Sequence, residues 1–173
     1  MELKVSDDIH LYSLAVSHAH ELFHAVESSR QSLSIYMPWA KSLTDVKSAE
    51  NYIRSRIEIT DNGSKWFAIY FKGQLTGVFG IKYIEPDSRA SELGYWLSNY
   101  GRGNGIVYQV LKVILPYMAS CTNAKTVEFH CLESNEASIK IVNKIGAALI
   151  RYLPNTIDVE NKDQKLGVYS LEL

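Results

Sequence analysis

Cysteine is scarce in this chain, and so is net charge. Cys121 and Cys131 are the two cysteines in 173 residues. They sit in or beside apolar segments with no metal-ligand spacing, so a reduced compartment is the simpler expectation. Lys and Arg number 18 against 19 Asp and Glu, a formal charge of −1. That balance argues against holding nucleic acid by charge alone, and contact with a nucleoprotein would have to run through its protein component. No apolar run approaches the ~20 residues of a membrane span. Met1 to Val5 lacks the basic and apolar regions of a secretory signal, and the expectation is a soluble, cytoplasmic protein. Repeats, low-complexity tracts and linkers are missing too. So are two phosphate-binding signatures: there is no G-x-x-x-x-G-K-S/T run, and the dinucleotide fingerprint needs glycine where Ile106 stands.

What is present is ordinary globular composition, 46% hydrophobic and 21% charged, in a length that suits one domain spanning residues 1–173. The most informative stretch is Glu92 to Val107, an apolar strand, a turn with glycines at 101, 103 and 105, then a helix start. Such glycines let a backbone enter left-handed conformations and approach a ligand closely. Open amides at the following helix N-terminus favour phosphate. The segment describes a pyrophosphate cradle.

Periodicity predicts a strand over 9–15, a helix capped by Ser17 to about Arg30, and an aromatic loop over 32–41. A second helix, capped by Thr44 or Asp45, runs to about Thr60 and closes at Asp61-Asn62-Gly63. Strands follow at 65–71 and 75–83, joined at Lys72-Gly73-Gln74, and a third at 90–97. The remainder reads as helix 104–119, strand 126–132, helix 135–145 stopped at Gly146, and strands 147–153 and 165–171. This is mixed α/β (α+β) around one core.

Arg102-Gly103-Asn104-Gly105-Ile106-Val107 resembles the Q/R-x-x-G-x-G/A acetyl-CoA loop of the GNAT superfamily of N-acetyltransferases, departing at Val107, where the family has a small residue. Gly94-Tyr95-Trp96-Leu97 resembles the RimJ/RimL-like branch, which acetylates ribosomal-protein N-termini. Asn135-Glu136-Ala137-Ser138 with Lys144-Ile145-Gly146 resembles the family's N-x-x-A/S…G helix. The element order is also the family's, so the resemblance covers nearly the whole chain. It implies a central mixed, mostly antiparallel sheet flanked by helices. It implies acetyl-CoA as cosubstrate and direct transfer, in a ternary complex, to a primary amine, foremost a protein N-terminal α-amino group. Small amines or antibiotics are the other acceptors in this branch, and dimers are frequent.

The resemblance also assigns residues. Backbone groups of the strand holding Tyr95, Trp96 and Leu97 would bind the acetyl and pantetheine groups. Arg102, Gly103, Asn104, Gly105, Ile106 and Val107 would form the cofactor loop, and Asn135 would bond the pantetheine arm while also suiting a helix cap. Arg102 and Lys140 would meet CoA phosphates or remain solvated surface charges. Many relatives carry a thiolate-protonating tyrosine where this chain has Val142. That leaves Ser138, which the RimL-like branch uses near the sulfur, as the hydrogen-bond donor to the developing thiolate.

Glu92 is the candidate base or amine-orienting group, since strand alternation puts it on the face of Gly94 and opposite Leu93; a plain edge-of-sheet carboxylate reads equally well. Tyr36, Met37 and Trp39 form a candidate acceptor wall or a core plug. Val142 and the uncertain base also leave open a non-catalytic acetyl-CoA-binding module. One motif points elsewhere: His20-Glu21-Leu22-Phe23-His24 matches the H-E-x-x-H of zinc peptidases, but it has no recognised third-ligand extension, and no metal is expected.

Overall fold

The computed structural model describes residues 1–58 and 61–173. Alternating apolar residues build strands β1 (Glu2–Lys4), β2 (Ile9–Ser13), β3 (Lys65–Phe71), β4 (Gln74–Ile84) and β5 (Ala90–Leu97). Helices α1 (Ala19–Glu27), α2 (Arg30–Leu33) and α3 (Val46–Ile57) lie between β2 and β3. After β5 come α4 (Ile106–Cys121), β6 (Thr126–Leu132), α5 (Glu136–Lys144), β7 (Ala148–Leu153) and β8 (Leu166–Glu172). The strands form one eight-stranded sheet in the order β1-β2-β3-β4-β5-β6-β8-β7. Every neighbouring pair is antiparallel except β5 with β6.

Period-two alternation divides the sheet into two buried faces. Phe67, Phe79, Ile81 and Leu93 pack against Ile106, Val110, Leu111 and Ile114 of α4. On the other face Ala68, Val78 and Trp96 meet Leu22 and Val26 of α1 and Tyr52 and Ile53 of α3. Burying each large aliphatic side chain contributes about 1.5–3 kcal/mol, so both helical layers are pinned to the sheet independently of any ligand.

Several expectations shift. Strand β1 was not expected. The first helix is not capped by Ser17: residues 16–18 form a 3-10 turn, and the His18 ring accepts a bond from the Ala15 amide at 3.1 Å. Helix α1 ends at Glu27, and after Ser28–Ser29 a short α2 runs into the start of the expected loop. Asp45 does cap α3, its carboxylate accepting from the Ser48 amide at 2.7 Å. That helix is described to Ile57, and the expected end near Thr60 lies outside the described residues. Helix α4 starts at Ile106 rather than Asn104 because Gly105 turns left-handed, φ 66°. Strand β8 enters between β6 and β7, an order that strand lengths alone do not specify.

Candidate active site

Strands β5 and β6 pair from Ala90↔Thr126 to Leu93↔Phe129 and no further, although β5 runs on to Leu97 and β6 to Leu132. Beyond Leu93 the ladder stops, and the edge of β5 that faced β6 has no neighbouring strand. Backbone donors and acceptors demand partners, so an extended amide-bearing arm fits this gap as a missing strand would.

The glycine loop lies at the outer end of the gap. Gly101 sits so close to Thr76 that a Cβ would stand 2.4 Å from its Oγ1. Gly103 and Gly105 both have left-handed backbones, φ 79° and 66°. As the N-terminal cap of α4, Gly105 provides no side-chain acceptor, so first-turn amides stay open toward the loop. The Asn104 side chain bonds back to the carbonyls of Gly101 and Arg102 at 3.3 and 3.1 Å, bracing the turn. Arg102 Nε donates to the Leu97 carbonyl at 3.2 Å, which ties the loop to the end of β5.

Two cavities meet here. One, about 260 Å³, runs between the glycine loop, the end of β5 and α5. The other, about 420 Å³, opens on the α1/α3 side of the sheet over Gly94, Glu92 and His130. Tyr36, Met37, Tyr95, Trp96, Asn135 and Ser138 line both. Asn135 caps α5 by accepting from the Ser138 amide at 3.3 Å, which fixes the serine at the waist between the cavities. Beside it the buried Tyr95 hydroxyl has no hydrogen-bond partner among the described residues. Burial pushes that phenol well above its ordinary value against a smaller pull from Ser138, so it is an O–H donor at any physiological pH. Cys131 also lines the larger cleft, and burial pushes its thiol up to about 12; it is a thiol, not a nucleophilic thiolate.

A line of charge crosses the strands at the mouth of the gap. Lys82 occupies a bulge in β4, where the register shifts between Ile81 and Tyr83, and its stem lies over Gly94. From there its ammonium pairs with Glu92, whose side chain is only 13% exposed. His130 stands next, Nδ1 3.8 Å from Glu92 and Nε2 3.2 Å from Glu128. Arg151 closes the line on Glu128 at 2.9 Å. Burial opposes ionisation of Glu128, but Arg151 and His130 outweigh it and hold the carboxyl below its usual range.

Residues 8–148 match the family model described as "Acetyltransferase (GNAT) domain". The chain belongs to this family. As a GNAT acetyltransferase it uses acetyl-CoA as acyl donor, and the open edge, the left-handed glycines and the uncapped helix start fit that cosubstrate. Among curated proteins it is similar to the ribosomal-protein-serine acetyltransferase of Escherichia coli (strain K12), 24% identical over 85% of this chain and 83% of the relative. Among solved structures it resembles the RimL ribosomal L7/L12 α-N-protein acetyltransferase in complex with coenzyme A. That match has a TM-score of 0.92 and 21% identity, covering 100% of this chain and 98% of the other. The self-immunity acetyltransferase MccE for microcin C7, in complex with acetyl-CoA and AMP, matches with a TM-score of 0.89 at 22% identity, over 99% and 96% of the two chains.

The acetyltransferase brings most of its sequence-predicted site residues together at the two cavities, though not always through their side chains. Trp96, Ile106 and Val107 are buried in the cores, so only their backbones are available to a ligand. Lys140 lies outside both cavities, exposed and 3.7 Å from Glu136. Val142 is fully buried. Glu92 does share the face of Gly94 but carries a lysine partner. Tyr36 donates its hydroxyl to the Ser134 carbonyl at 2.9 Å, a strap from the α2 segment to the start of α5. His20 and His24 share one helix face, 4.5 Å between rings, but Glu21 accepts from the Tyr70 hydroxyl at 2.7 Å. Among the described residues no group of three ligands forms there or elsewhere.

Lys82, His130, Glu128 and Arg56 were missed. The polar alternation Thr126-x-Glu128-x-His130 in an otherwise apolar strand was a readable signal for two of them. Lys82 gave none, because its position depends on a bulge.

Proposed function

We propose that this acetyltransferase moves the acetyl group of acetyl-CoA directly to the free α-amino group of a protein N-terminus, with both substrates bound at once. The observation that carries the reading is the waist. A cosubstrate groove and a separate acceptor cleft meet at Ser138 and Tyr95, so a thioester and an amine can approach from opposite sides without a covalent enzyme intermediate. The relatives' names favour a ribosomal-protein N-terminus, starting with Ser or Ala. An α-amine titrates near neutrality and needs less help to lose its proton than a lysine side chain.

In this reading the β5 edge orients the thioester through its peptide groups. Tyr95 and Ser138 offer hydroxyl donors to charge that develops on the departing sulfur. Glu92 orients the acceptor amine, and its contact with His130, which in turn meets Glu128, gives the released proton a route to solvent. Tyr36, Met37 and Trp39 wall the acceptor cleft.

We further propose that residues 1–173 act as one domain, in the cytoplasm, without a direct nucleic-acid partner, and that the protein pairs with a second copy through β7. That edge strand is bonded on one side only and exposes Leu149, Ile150 and Tyr152, the kind of edge that proteins ordinarily cover. Light scattering should give the dimer mass, and Ile150→Lys the monomer; a monomeric parent protein would refute the pairing.

The deciding experiment is thiol release from acetyl-CoA with intact-mass analysis across an acceptor panel. It holds peptides with free Ser or Ala termini, lysine peptides with blocked termini, polyamines and aminoglycosides. Acetylation confined to free α-amino peptides is the expected result. Preference for a small amine or an antibiotic would replace the acceptor and keep the site. Binding of acetyl-CoA with no transfer would favour the non-catalytic module.

A further inference from the structure

The acceptor cleft contains one cation more than its anions can answer. Lys82 is matched by Glu92, and Glu128 by Arg151. Arg56, from the last turn of α3, lines the same cleft and forms no ion pair with any of the side chains described, Asp61 not being among them. Its Nη1 donates to the Tyr52 carbonyl at 2.9 Å and to Ser55 Oγ at 3.2 Å. Its Nε has no hydrogen-bond partner among the described residues. The guanidinium therefore keeps donor capacity that these neutral acceptors do not answer, and a carboxylate or phosphate is the group that takes it.

The guanidinium is also held in place. It stacks 3.3 Å from the Tyr52 ring centroid and stands 5.2 Å from that of Trp66, while the Tyr52 hydroxyl accepts from Trp96 Nε1 at 2.9 Å. Burial lowers its pKa somewhat, with Tyr52 opposing, yet a guanidinium remains charged. A fixed, desolvated cation without a counter-ion is expensive unless a ligand supplies one.

Trp66, Gly80 and Gly94 are adjacent in register across β3, β4 and β5, and Trp66 lies against Gly80. Two strand spacings separate Trp66 from Gly94, roughly 10 Å. That is the reach from an α-amine to the side chain of the second or third residue of an extended peptide.

We propose that the cleft selects amines carrying an anionic group, and that Arg56 is the counter-ion that receives it. This rests on the amine-transfer reading above and narrows it: the acceptor is an N-terminus with an acidic or phosphorylated residue at its second or third position. Arg56 binds and positions the acceptor and takes no part in bond making.

The test compares peptides that share a free N-terminal serine and differ at positions two and three: Glu, Gln or phosphoserine. The unaltered enzyme should show a KM for the Glu or phosphoserine peptide about tenfold below that for the Gln twin, the discrimination expected of one charge-assisted bond. The comparison of Glu with phosphoserine tells carboxylate from phosphate. Arg56→Met should abolish the preference by raising KM for the anionic peptides, with kcat and acetyl-CoA affinity unmoved, and Arg56→Lys should restore part of it. Equal treatment of Glu and Gln peptides by the unaltered enzyme would overturn the proposal, whatever the variants do. So would an Arg56→Met enzyme that folds and keeps the preference. If all peptides are silent, the N-terminal reading fails, and phosphoethanolamine against ethanolamine then decides Arg56: preference for the phosphate ester upholds it, indifference or silence toward both ends it.

Discussion

Ser138 and Tyr95 meet at the waist as two hydroxyls held there by different means. Tyr95 is buried and held protonated, whereas Ser138 is oriented by the Asn135 cap. Ser138→Ala should lower kcat about tenfold, the worth of a hydrogen bond gained as charge develops, and leave acetyl-CoA affinity within about twofold. Single-turnover rates with equilibrium titration would check this; an unchanged kcat returns Ser138 to a structural role. His18 makes a separate prediction. Burial lowers its pKa from 6.5, with Glu21 opposing, and its Nδ1 accepts the Ala15 amide, which requires the neutral ring. Between its lowered folded value and 6.5 the unfolded chain binds the proton that the folded chain refuses, so stability is full above 6.5 and declines as pH falls below it. Melting temperature measured from pH 7.5 to 5 should fall through that window, and His18→Gln should flatten the decline.

At the scale of elements, the glycine turn and α4 act as one unit. Gly103→Val and Gly105→Val each place a β-branched residue at positive φ, a strained conformation. Nothing crowds either Cβ within 3.5 Å, so the fold should survive while acetyl-CoA binding is lost. Circular dichroism with calorimetric titration would show both halves of that outcome, and unchanged affinity would reject the loop assignment. The turn was legible in the sequence because glycine spacing reports backbone conformation directly. The Asn135 cap was legible for a similar reason, since a helix cap is a local motif, whereas Ser138 is reached only through the family resemblance. The charge line was not legible. Strand alternation singles out Glu92, and Glu128 and His130 stand in a polar alternation, but only strand register, including a bulge that shifts Lys82 over Gly94, assembles them into a line. Arg56 was hidden differently: it belongs to an amphipathic helix where an arginine ordinarily faces water, and its cleft forms only when α3 docks against Trp66 and Trp96.

The molecule as a whole is one sheet with a short joint. Residues 90–93 and 126–129 form the pairing between its β1–β5 and β6-β8-β7 sides, and the proposed cosubstrate groove lies just beyond. Binding at 100 times the dissociation constant should stabilise the fold by about 2.7 kcal/mol. In hydrogen-exchange experiments the gain in protection should fall on Gly94–Leu97, with little change at Ala90–Leu93; uniform protection would mean that the groove does not act as the missing strand position. The joint also bears on timing. In the proposed reading the long product leaves between two half-sheets and past the Tyr36 strap, so departure of CoA rather than acetyl transfer should pace turnover. Added viscogen should then slow kcat in proportion to microviscosity, and a kcat indifferent to viscosity would assign the slow step to chemistry.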